Sequence, residues 1–314
     1  MKAIIGSQLD WGDAPDPACG EHQVLIRVYA AGVNRADLMQ AKGAYPPPPG
    51  VTDILGLEAA GVIEETGAKV TGWKAGDRVC TLLPGGGYAE KAAVDARMPH
   101  RLPEDWSFVH GAAFPEAWYT AFVNLFLEAQ LKAGESVLIH AGASGVGTAA
   151  IQLARAAGAI PYVTVGSEEK AAFCRELGAA LAINYKERDF AADLEGVDVI
   201  LDCIGGAYLP RNISLLKRFG RLVNIGLLGG SKGELNMAQL LLKRLRMIGS
   251  TLRSRSVDEQ AAIRHAFEER FWPDLSAGRL RLIIDRSLPM QKAAEAHRYV
   301  AENRNTGKVV LTLD

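Results

Sequence analysis

The feature that most constrains the fold is a glycine-rich turn near the middle of the chain. The turn is AGASGVG at residues 141–147, and it lies between a short apolar run at 136–140 and a segment of helical spacing at 145–157. Glycines at a strand-to-helix turn let backbone N–H groups approach a pyrophosphate at the positive end of the helix. The spacing Gly142-x-x-Gly145-x-Gly147 departs from the common G-x-G-x-x-G, and a purely structural tight turn is the alternative. The strand before it and the helix after it favour a dinucleotide site.

Apolar strand-like runs alternate with helical stretches from residue 136 onward. The runs lie at 136–140, 161–165, 181–184, 197–202, 221–226 and 247–252. Helical spacing of apolar residues is present at 145–157, 168–177 and 208–219. Such alternation is typical of a parallel sheet with helices on both faces. We therefore predict an α/β fold containing a doubly wound Rossmann domain.

The first 117 residues have a different pattern, in which short β-type runs at 23–29, 59–65 and 78–81 are separated by turns such as YPPPPG at 45–50. This pattern predicts a compact antiparallel β domain. After the last strand of the parallel sheet, helices are predicted near 258–269 and 290–302, and an apolar strand at 308–313. We expect that strand to return to the first domain. The predicted boundaries are 1–117, 118–256 and 257–314.

Charge and composition exclude several classes of partner. The 314 residues carry 35 basic and 36 acidic side chains, a formal net charge of −1, without a long block of like charges. We therefore expect neither nucleic acid nor an anionic membrane as partner, and we interpret the basic cluster at 243–246 as a solvated helix end. No apolar run reaches the roughly 18 residues of a membrane span, and no secretory signal is expected. A cytoplasmic protein is the expectation.

The end of the second strand of the parallel sheet bears on the choice of cofactor. NAD-specific domains have an acidic residue there, which binds the ribose 2′-hydroxyl. Here the strand ends in Gly166 and Ser167, and Lys170 follows one helical turn later. A small residue, a hydroxyl and an ammonium suit a 2′-phosphate, so NADPH is favoured over NADH. Glu168 is the contrary observation, and Ser167 as a helix N-cap is the alternative to a ligand role.

Further motifs resemble those of a known family. They are AGVNRADLMQ at 31–40, LGLEAAG at 55–61, KAGDRV at 74–79 and TGKVVL at 306–311. With the glycine turn, they resemble the zinc-independent quinone oxidoreductases of the medium-chain dehydrogenase/reductase superfamily, the zeta-crystallin-like group. The stretches LPGGG at 83–87, PEAW at 115–118 and DCIGG at 202–206 are most similar to the branch typified by the tumour-suppressor-inducible quinone oxidoreductase of mammals.

The resemblance implies a GroES-like catalytic β domain, a Rossmann NADP-binding domain and an active cleft between them. It also implies a homodimer, with a tetramer as the other option, built on the edge of the Rossmann sheet. Zinc-containing members of the superfamily have a cysteine at the position of Asn34 and a histidine at that of Leu57. Neither Asn nor Leu is a zinc ligand of the usual kind, so no metal is predicted.

The resemblance also assigns candidate site residues. Asn34 and Tyr45 are the catalytic candidates, and Tyr45 is also a candidate cofactor contact. The other cofactor contacts are Ser144, Gly145, Val146 and Gly147 at the pyrophosphate, Gly166, Ser167, Lys170 and Tyr185 at the adenosine phosphate, and Gly226, Leu227 and Leu228, with Thr120 and Asn303 nearby, at the nicotinamide ribose. The alternatives are a packed loop anchor for Tyr45 and a turn cap for Asn34. Cys203 is interpreted as a buried core thiol.

The expected activity is zinc-free transfer of hydride, or of single electrons, from NADPH to a quinone or similar enone. Two alternatives stay open. One is a 2-enoyl thioester or alkenal reductase on the same scaffold, and the other is an NADPH-binding sensor or structural protein with little turnover.

Overall fold

The computed structural model describes residues 1–313, which fold into two compact units. Unit 1 comprises Met1–Ala117 together with the chain from Arg253 onward, and unit 2 comprises Trp118–Leu252. The chain thus leaves unit 2 after Leu252, whereas the sequence analysis drew that boundary after residue 256. No helix among residues 1–313 is long and apolar enough to cross a membrane.

The first part of unit 1 is built mainly of strands. Its elements are β1 (Lys2–Ile5), β2 (Asp10–Asp13), β3 (Gln23–Val33), α1 (Arg35–Ala41), β4 (Glu58–Thr66), β5 (Arg78–Leu82), β6 (Lys91–Asp95), β7 (His100–Arg101) and α2 (Phe108–Ala112). Helix α3 (Pro115–Phe122) then leads into unit 2. The long β3 alternates poorly between buried and exposed residues because it is covered on both faces over much of its length.

Unit 2 is a six-stranded parallel sheet with intervening helices. After a π-helix at Val123–Glu128, its elements are β8 (Ser136–Ile139), α4 (Gly145–Ala156), β9 (Ile160–Val165), α5 (Glu168–Leu177), β10 (Leu181–Asn184), α6 (Phe190–Asp193), β11 (Val197–Asp202), α7 (Leu209–Leu215), β12 (Leu216–Asn224), α8 (Met237–Lys243) and β13 (Arg246–Gly249). The strand order is β10-β9-β8-β11-β12-β13. Strand β8 is buried along its whole length, as expected for a central parallel strand.

The helix predicted at 208–219 is wrong in its second half. Helix α7 ends at Leu215, and Leu216 already pairs with Val197 of β11. The register then shifts so that Arg221 pairs with Val199, and Phe219 in the intervening segment has a positive φ of 66°. Backbone pairing with β11 therefore overrides the helical spacing of the apolar residues. The last strand of the sheet is also shorter than predicted, because it ends at Gly249 rather than at 252.

The C-terminal part of the chain completes unit 1. It comprises α9 (Val257–Arg270), α10 (Trp272–Ser276), β14 (Ile284–Pro289), α11 (Ala293–Ala301) and β15 (Lys308–Thr312). Strand β15 pairs with β3 in antiparallel register, Val309 opposite Val33, so the final strand joins the sheet of the first residues. Strand β14, which was not predicted, pairs with β15 in parallel, so the sheet of this unit is not wholly antiparallel. The sheet order is β14-β15-β3-β4-β5-β7, and β6 also pairs with β3.

Candidate functional site

The glycine turn between β8 and α4 has a backbone that tolerates no side chain at two positions. A Cβ atom on Gly142 would lie 2.5 Å from the Val163 Cβ, and one on Gly147 would lie 2.4 Å from the Ala141 carbonyl oxygen. Ala141 itself has a positive φ of 56°. The turn is therefore held in one tight conformation, with α4 starting directly above the sheet.

Ser144 caps α4 at this turn. It has an extended backbone, and its Oγ accepts a hydrogen bond from the Gly147 N–H at 3.0 Å. The N–H groups of Gly145 and Val146 belong to the first helical turn, which has no intrahelical acceptors. Those groups and the positive end of the helix can bind an anion such as a pyrophosphate.

The four predicted adenosine-phosphate residues lie at and around the end of β9. A Cβ atom on Gly166 would lie 2.8 Å from the Tyr185 hydroxyl, so that hydroxyl lies against the glycine backbone. Ser167 caps α5, and its Oγ accepts a hydrogen bond from the Lys170 N–H at 3.3 Å. The Ser167 side chain therefore has the capping role that was the alternative, with Lys170 in the same helical turn.

Glu168 is the acidic residue that counts against a preference for NADPH, and its carboxylate has a partner. Its carboxylate forms an ion pair with Arg175, two turns further along α5. Both side chains are exposed, so this pair is weak in energy. It nevertheless gives the carboxylate a cation on its own helix.

The turn after β12 carries two exposed apolar side chains. Leu227 and Leu228 are each 49% exposed, and the Leu228 N–H donates to the Cys203 carbonyl oxygen at 3.1 Å. Gly226 precedes them, and its carbonyl oxygen accepts from the Asn224 side chain at 3.0 Å. Cys203 is partly exposed, so its interpretation as a buried core thiol is wrong. The reason is that it follows the last residue of β11 and lies in a loop.

Asn34 in unit 1 is held at both ends of its amide. Its Nδ2 donates to Glu58 Oε1 at 2.8 Å, and its Oδ1 accepts from Lys308 Nζ at 2.6 Å. Asn34 occupies the N-cap position of α1, but it is Asp37 that accepts the Asn34 backbone N–H, at 2.8 Å. The amide of Asn34 therefore belongs to a polar cluster, and the residue also forms a capping box with Asp37 at the start of α1.

Glu58 and Lys308 form the centre of that cluster. The Lys308 ammonium lies 2.5 Å from Glu58 Oε1, and the two side chains are 5% and 0% exposed. The second Glu58 oxygen accepts from the Glu116 backbone N–H at 2.8 Å, and Lys308 also donates to the Val33 carbonyl oxygen at 3.2 Å. A buried ion pair is tolerated only when its remaining hydrogen-bonding groups have partners, as they do here.

The cluster extends through Asp37. Its carboxylate accepts from the Gly56 N–H at 3.2 Å and from the Tyr88 hydroxyl at 3.2 Å. Burial raises the pKa of Asp37 to about 6. The Tyr88 oxygen also lies 3.2 Å from His297 Nε2, and burial lowers the pKa of His297 to about 4, so this ring is neutral at neutral pH. We refer to Asn34, Asp37, Glu58, Tyr88 and Lys308 as the buried polar cluster.

Tyr45 lies near two ionisable residues, Arg253 and Glu116, that sequence reasoning missed. The guanidinium carbon of Arg253 lies 5.5 Å from the centre of the Tyr45 ring. Burial, followed by the negative charge of Glu116, raises the pKa of Tyr45. Burial, followed by the negative charge of Glu58, raises the pKa of Glu116 to about 8. At neutral pH this part of unit 1 thus has a neutral phenol, a mostly protonated carboxyl group and a cation.

The last two candidates each accept a hydrogen bond from another side chain of their own unit. Asn303 follows α11 with a positive φ of 55°, and its side-chain oxygen accepts from Arg35 at 2.6 Å. The carbonyl oxygen of Thr120, in unit 2, accepts from the Asn124 side chain at 2.7 Å. Their roles toward a cofactor stay predictions.

Four residues near the candidates were not found from the sequence: Glu58, Glu116, Arg253 and Lys308. The available signal was a charged residue directly before a run of small or apolar residues, as for Glu58 at the start of β4 and Lys308 at the start of β15. No group of three or more His, Cys, Asp or Glu residues within 1–313 is arranged to hold a metal ion. The prediction that the protein works without zinc remains a prediction.

Two family models match the chain. The alcohol dehydrogenase GroES-like domain matches residues 20–104, and the zinc-binding dehydrogenase model matches residues 145–268. A β domain of the GroES type together with a parallel nucleotide-binding sheet is the architecture of the medium-chain dehydrogenase/reductases.

Similarities to individual proteins identify the family within this superfamily. The quinone oxidoreductase of Mus musculus is 35% identical over 314 residues, covering 96% of this chain and 92% of that protein. The Escherichia coli quinone oxidoreductase complexed with NADPH has a TM-score of 0.89 and 27% identity, with 99% of each chain covered. The CurK enoyl reductase has a TM-score of 0.86 and 29% identity, with 100% of this chain and 97% of that chain covered. The chain belongs to the zeta-crystallin-like quinone oxidoreductase family of the medium-chain dehydrogenase/reductase superfamily.

Proposed function

We propose that the protein is an NADPH-dependent quinone oxidoreductase that works without zinc. The observation that carries the proposal is the glycine turn at the N-terminus of α4, where Gly142 and Gly147 have no room for a side chain. Such a turn binds the pyrophosphate of a dinucleotide. Unit 2 is then the cofactor domain, and unit 1, which holds Asn34 and Tyr45, is the catalytic domain.

The preference for NADPH is supported by the end of β9. Gly166 and Ser167 leave this position without a carboxylate, Lys170 is one turn away, and Glu168 is paired with Arg175. Tyr185 lies against Gly166, where it can contact the same phosphate. The E. coli family member was solved as an NADPH complex, which agrees with this choice. The turn at Gly226, Leu227 and Leu228 would contact the nicotinamide ribose.

The nicotinamide supplies the hydride, so the protein has to bind and orient the acceptor and to stabilise the charge that develops on its oxygen. We propose that Asn34 and Tyr45 do this in unit 1. The Asn34 amide is held by Glu58 and Lys308, which fixes its orientation. A quinone is already electrophilic and needs no Lewis acid to polarise it.

Calorimetry and turnover test the proposal. We expect the purified protein to bind NADPH more tightly than NADH and to oxidise NADPH when 1,2-naphthoquinone is added. Binding of neither coenzyme would overturn the proposal. NADPH binding with no quinone-stimulated oxidation would favour the alternative of a sensor or structural protein.

A 2-enoyl thioester or alkenal reductase is the second candidate, because an enoyl reductase shares this fold over its whole length. Both reactions need the same cofactor and the same scaffold, so the acceptor alone separates them. Turnover of a crotonyl thioester that exceeds turnover of 1,2-naphthoquinone would favour this candidate.

We propose a homodimer formed at the edge of the parallel sheet, with a tetramer as the other option. Strand β13 is one of the two edge strands, and Leu241 and Leu242 of α8, the helix that precedes it, are each 75% exposed. Apolar side chains with this exposure favour an interface. Sedimentation equilibrium tests the dimer, and a monomer at micromolar concentration would contradict it. The cytoplasmic location and the absence of nucleic-acid and membrane partners stay expectations.

A further inference from the structure

Arg253 is a buried cation with an incomplete set of hydrogen bonds. The residue is 6% exposed, and its Nε donates to the Pro84 carbonyl oxygen at 2.7 Å. Its Nη1 and Nη2 atoms are inaccessible to solvent and have no hydrogen-bond partner within residues 1–313. Four N–H bonds of a guanidinium therefore lack an acceptor.

This situation differs from that of the other well-buried arginines. Arg221 in unit 2 directs its Nη atoms to Glu135, at 2.9 and 2.7 Å. Arg264 in unit 1 resembles Arg253 most, since its Nε also donates to a proline carbonyl oxygen, that of Pro99, at 3.2 Å. The Nη2 of Arg264, however, is paired with Glu268 at 3.3 Å. Arg253 alone of these three lacks such a partner for its Nη atoms.

Burial of the Nη groups without acceptors is unfavourable, because contact with the face of the Tyr45 ring does not replace the hydrogen bonds that these groups made to water. Burial lowers the pKa of Arg253, but a guanidinium remains charged at neutral pH. A functional ligand that brings an oxygen atom would supply the missing acceptor. The guanidinium has a fixed fork of donors, which suits an oxygen carrying negative charge.

The place of Arg253 in unit 1 identifies the kind of ligand. Its guanidinium lies 5.5 Å from the ring of Tyr45, which the proposed function places at the acceptor. The Tyr45 side chain beside the guanidinium is only half-buried. The nearby Glu116 carboxyl group is mostly protonated at neutral pH, because its pKa is raised to about 8. It therefore leaves the cation without a full counter-charge.

We propose that Arg253 is a catalytic residue whose Nη atoms bind the acceptor's carbonyl oxygen and stabilise the negative charge that develops there. This inference rests on the proposed function, in which the acceptor is a quinone or enone. The hydride adds to the conjugated acceptor with both electrons of the C–H bond of the reduced nicotinamide, which is oxidised. The displaced π pair moves to the carbonyl oxygen, and the resulting oxyanion takes its proton from water. Arg253 holds that oxygen between the two events.

Binding of para-nitrophenol tests the inference without turnover. Its phenolate form is yellow and mimics the oxyanion, whereas its neutral form does not absorb in that band. In buffer at the pKa of the free probe, with and without NADP⁺, we expect the wild-type protein to increase the phenolate absorbance. Arg253→Met should remove the increase and weaken phenolate binding at least about tenfold. Arg264→Met is the matched control, because Glu268 already occupies its Nη2, and it should behave as wild type.

Each outcome decides the inference separately from the proposed function. A wild-type protein that does not bind the phenolate, or an Arg253→Met variant that binds it as wild type does, overturns the role of Arg253 even when quinone is turned over. Arg253-dependent phenolate binding supports the site even when no quinone is reduced. If Arg253→Met fails to fold, Arg253→Lys takes its place. Arg253→Lys keeps the positive charge but loses the planar set of guanidinium donors. Phenolate binding as strong as in the wild type would overturn the inference.

Discussion

The glycine turn of unit 2 and the buried polar cluster of unit 1 differ in how they are encoded. The turn lies within residues 141–147, and its chemistry comes from backbone N–H groups and the absence of side chains. The cluster joins residues 34, 58 and 308, and its chemistry comes from charged side chains that meet only after the sheet has formed. The first site is local and depends on space, whereas the second depends on the whole fold of unit 1 and on charge balance. Substitutions should therefore affect binding in the first and stability in the second.

The largest effect is expected when the charge balance of the cluster is broken. Lys308→Met leaves the Glu58 carboxylate buried without its cation and removes the donor to Asn34. We expect the free energy of unfolding to fall by about 3–5 kcal/mol. Urea denaturation measures it.

Lys292→Met is the control for this prediction, because Lys292 is exposed and its ion pair with Glu295 is weak. It should change stability by less than about 0.5 kcal/mol. Adding Glu58→Gln to Lys308→Met removes the unpaired charge and should restore part of the loss. If both lysine variants are equally stable, charge balance is not what holds the cluster together.

The second effect concerns pH and also belongs to unit 1. The pKa of Glu116 rises from its ordinary value of 4.5 to about 8 on folding, so the folded protein keeps a proton that the unfolded chain releases. The unfolding free energy should therefore decrease as the pH rises from 4.5 to about 8, by at most about 1.4 kcal/mol per pH unit from this residue. Because the side chain is only partly buried, the total should be nearer about 2 kcal/mol.

Glu116→Gln isolates this contribution. The variant should lose stability less steeply than the wild type over that pH range, as measured by denaturant midpoints at a series of pH values. Parallel curves for the two proteins would mean that the Glu116 carboxyl group titrates as it does in water.

The third prediction concerns the lack of room for a side chain in the glycine turn. In Gly147→Ala the new Cβ lies 2.4 Å from the Ala141 carbonyl oxygen, so the turn has to open. NADPH and NADH should both bind at least about tenfold more weakly, a loss of about 1.4 kcal/mol. Gly249→Ala is the control, since a Cβ atom there meets no atom within 4 Å. Unchanged calorimetric affinity in Gly147→Ala would mean that the turn does not hold the coenzyme.

The same contrast explains how far the sequence alone could go. The succession of β8, α4 and β9 could be predicted because the apolar run or helical spacing that marks each element lies within the element itself. Strand β14 could not, because residues 284–289 become a strand only by pairing with β15, and their exposure gives no clean alternation. Helix α7 was extended too far for a related reason, since pairing of Leu216 with Val197 cannot be read from spacing. Asn34 was found by resemblance, but its partners Glu58 and Lys308 were not, because only the pairing of β15 with β3 brings Lys308 to them.

The smallest effect is expected at the edge of the cofactor site, where side-chain charge and not space is at issue. Lys170→Ala removes a basic side chain from the first turn of α5, the helix that Ser167 caps. For a partly solvated charge pair the loss is about 1 kcal/mol, so NADPH should bind about fivefold more weakly while NADH is unaffected. Lys132→Ala removes an exposed charge elsewhere in unit 2 and should change neither affinity. Equal weakening of both coenzymes by Lys170→Ala would place the 2′-phosphate elsewhere, and it would mean that Lys170, like Lys308 in the buried polar cluster, supports the structure around it and does not select the ligand.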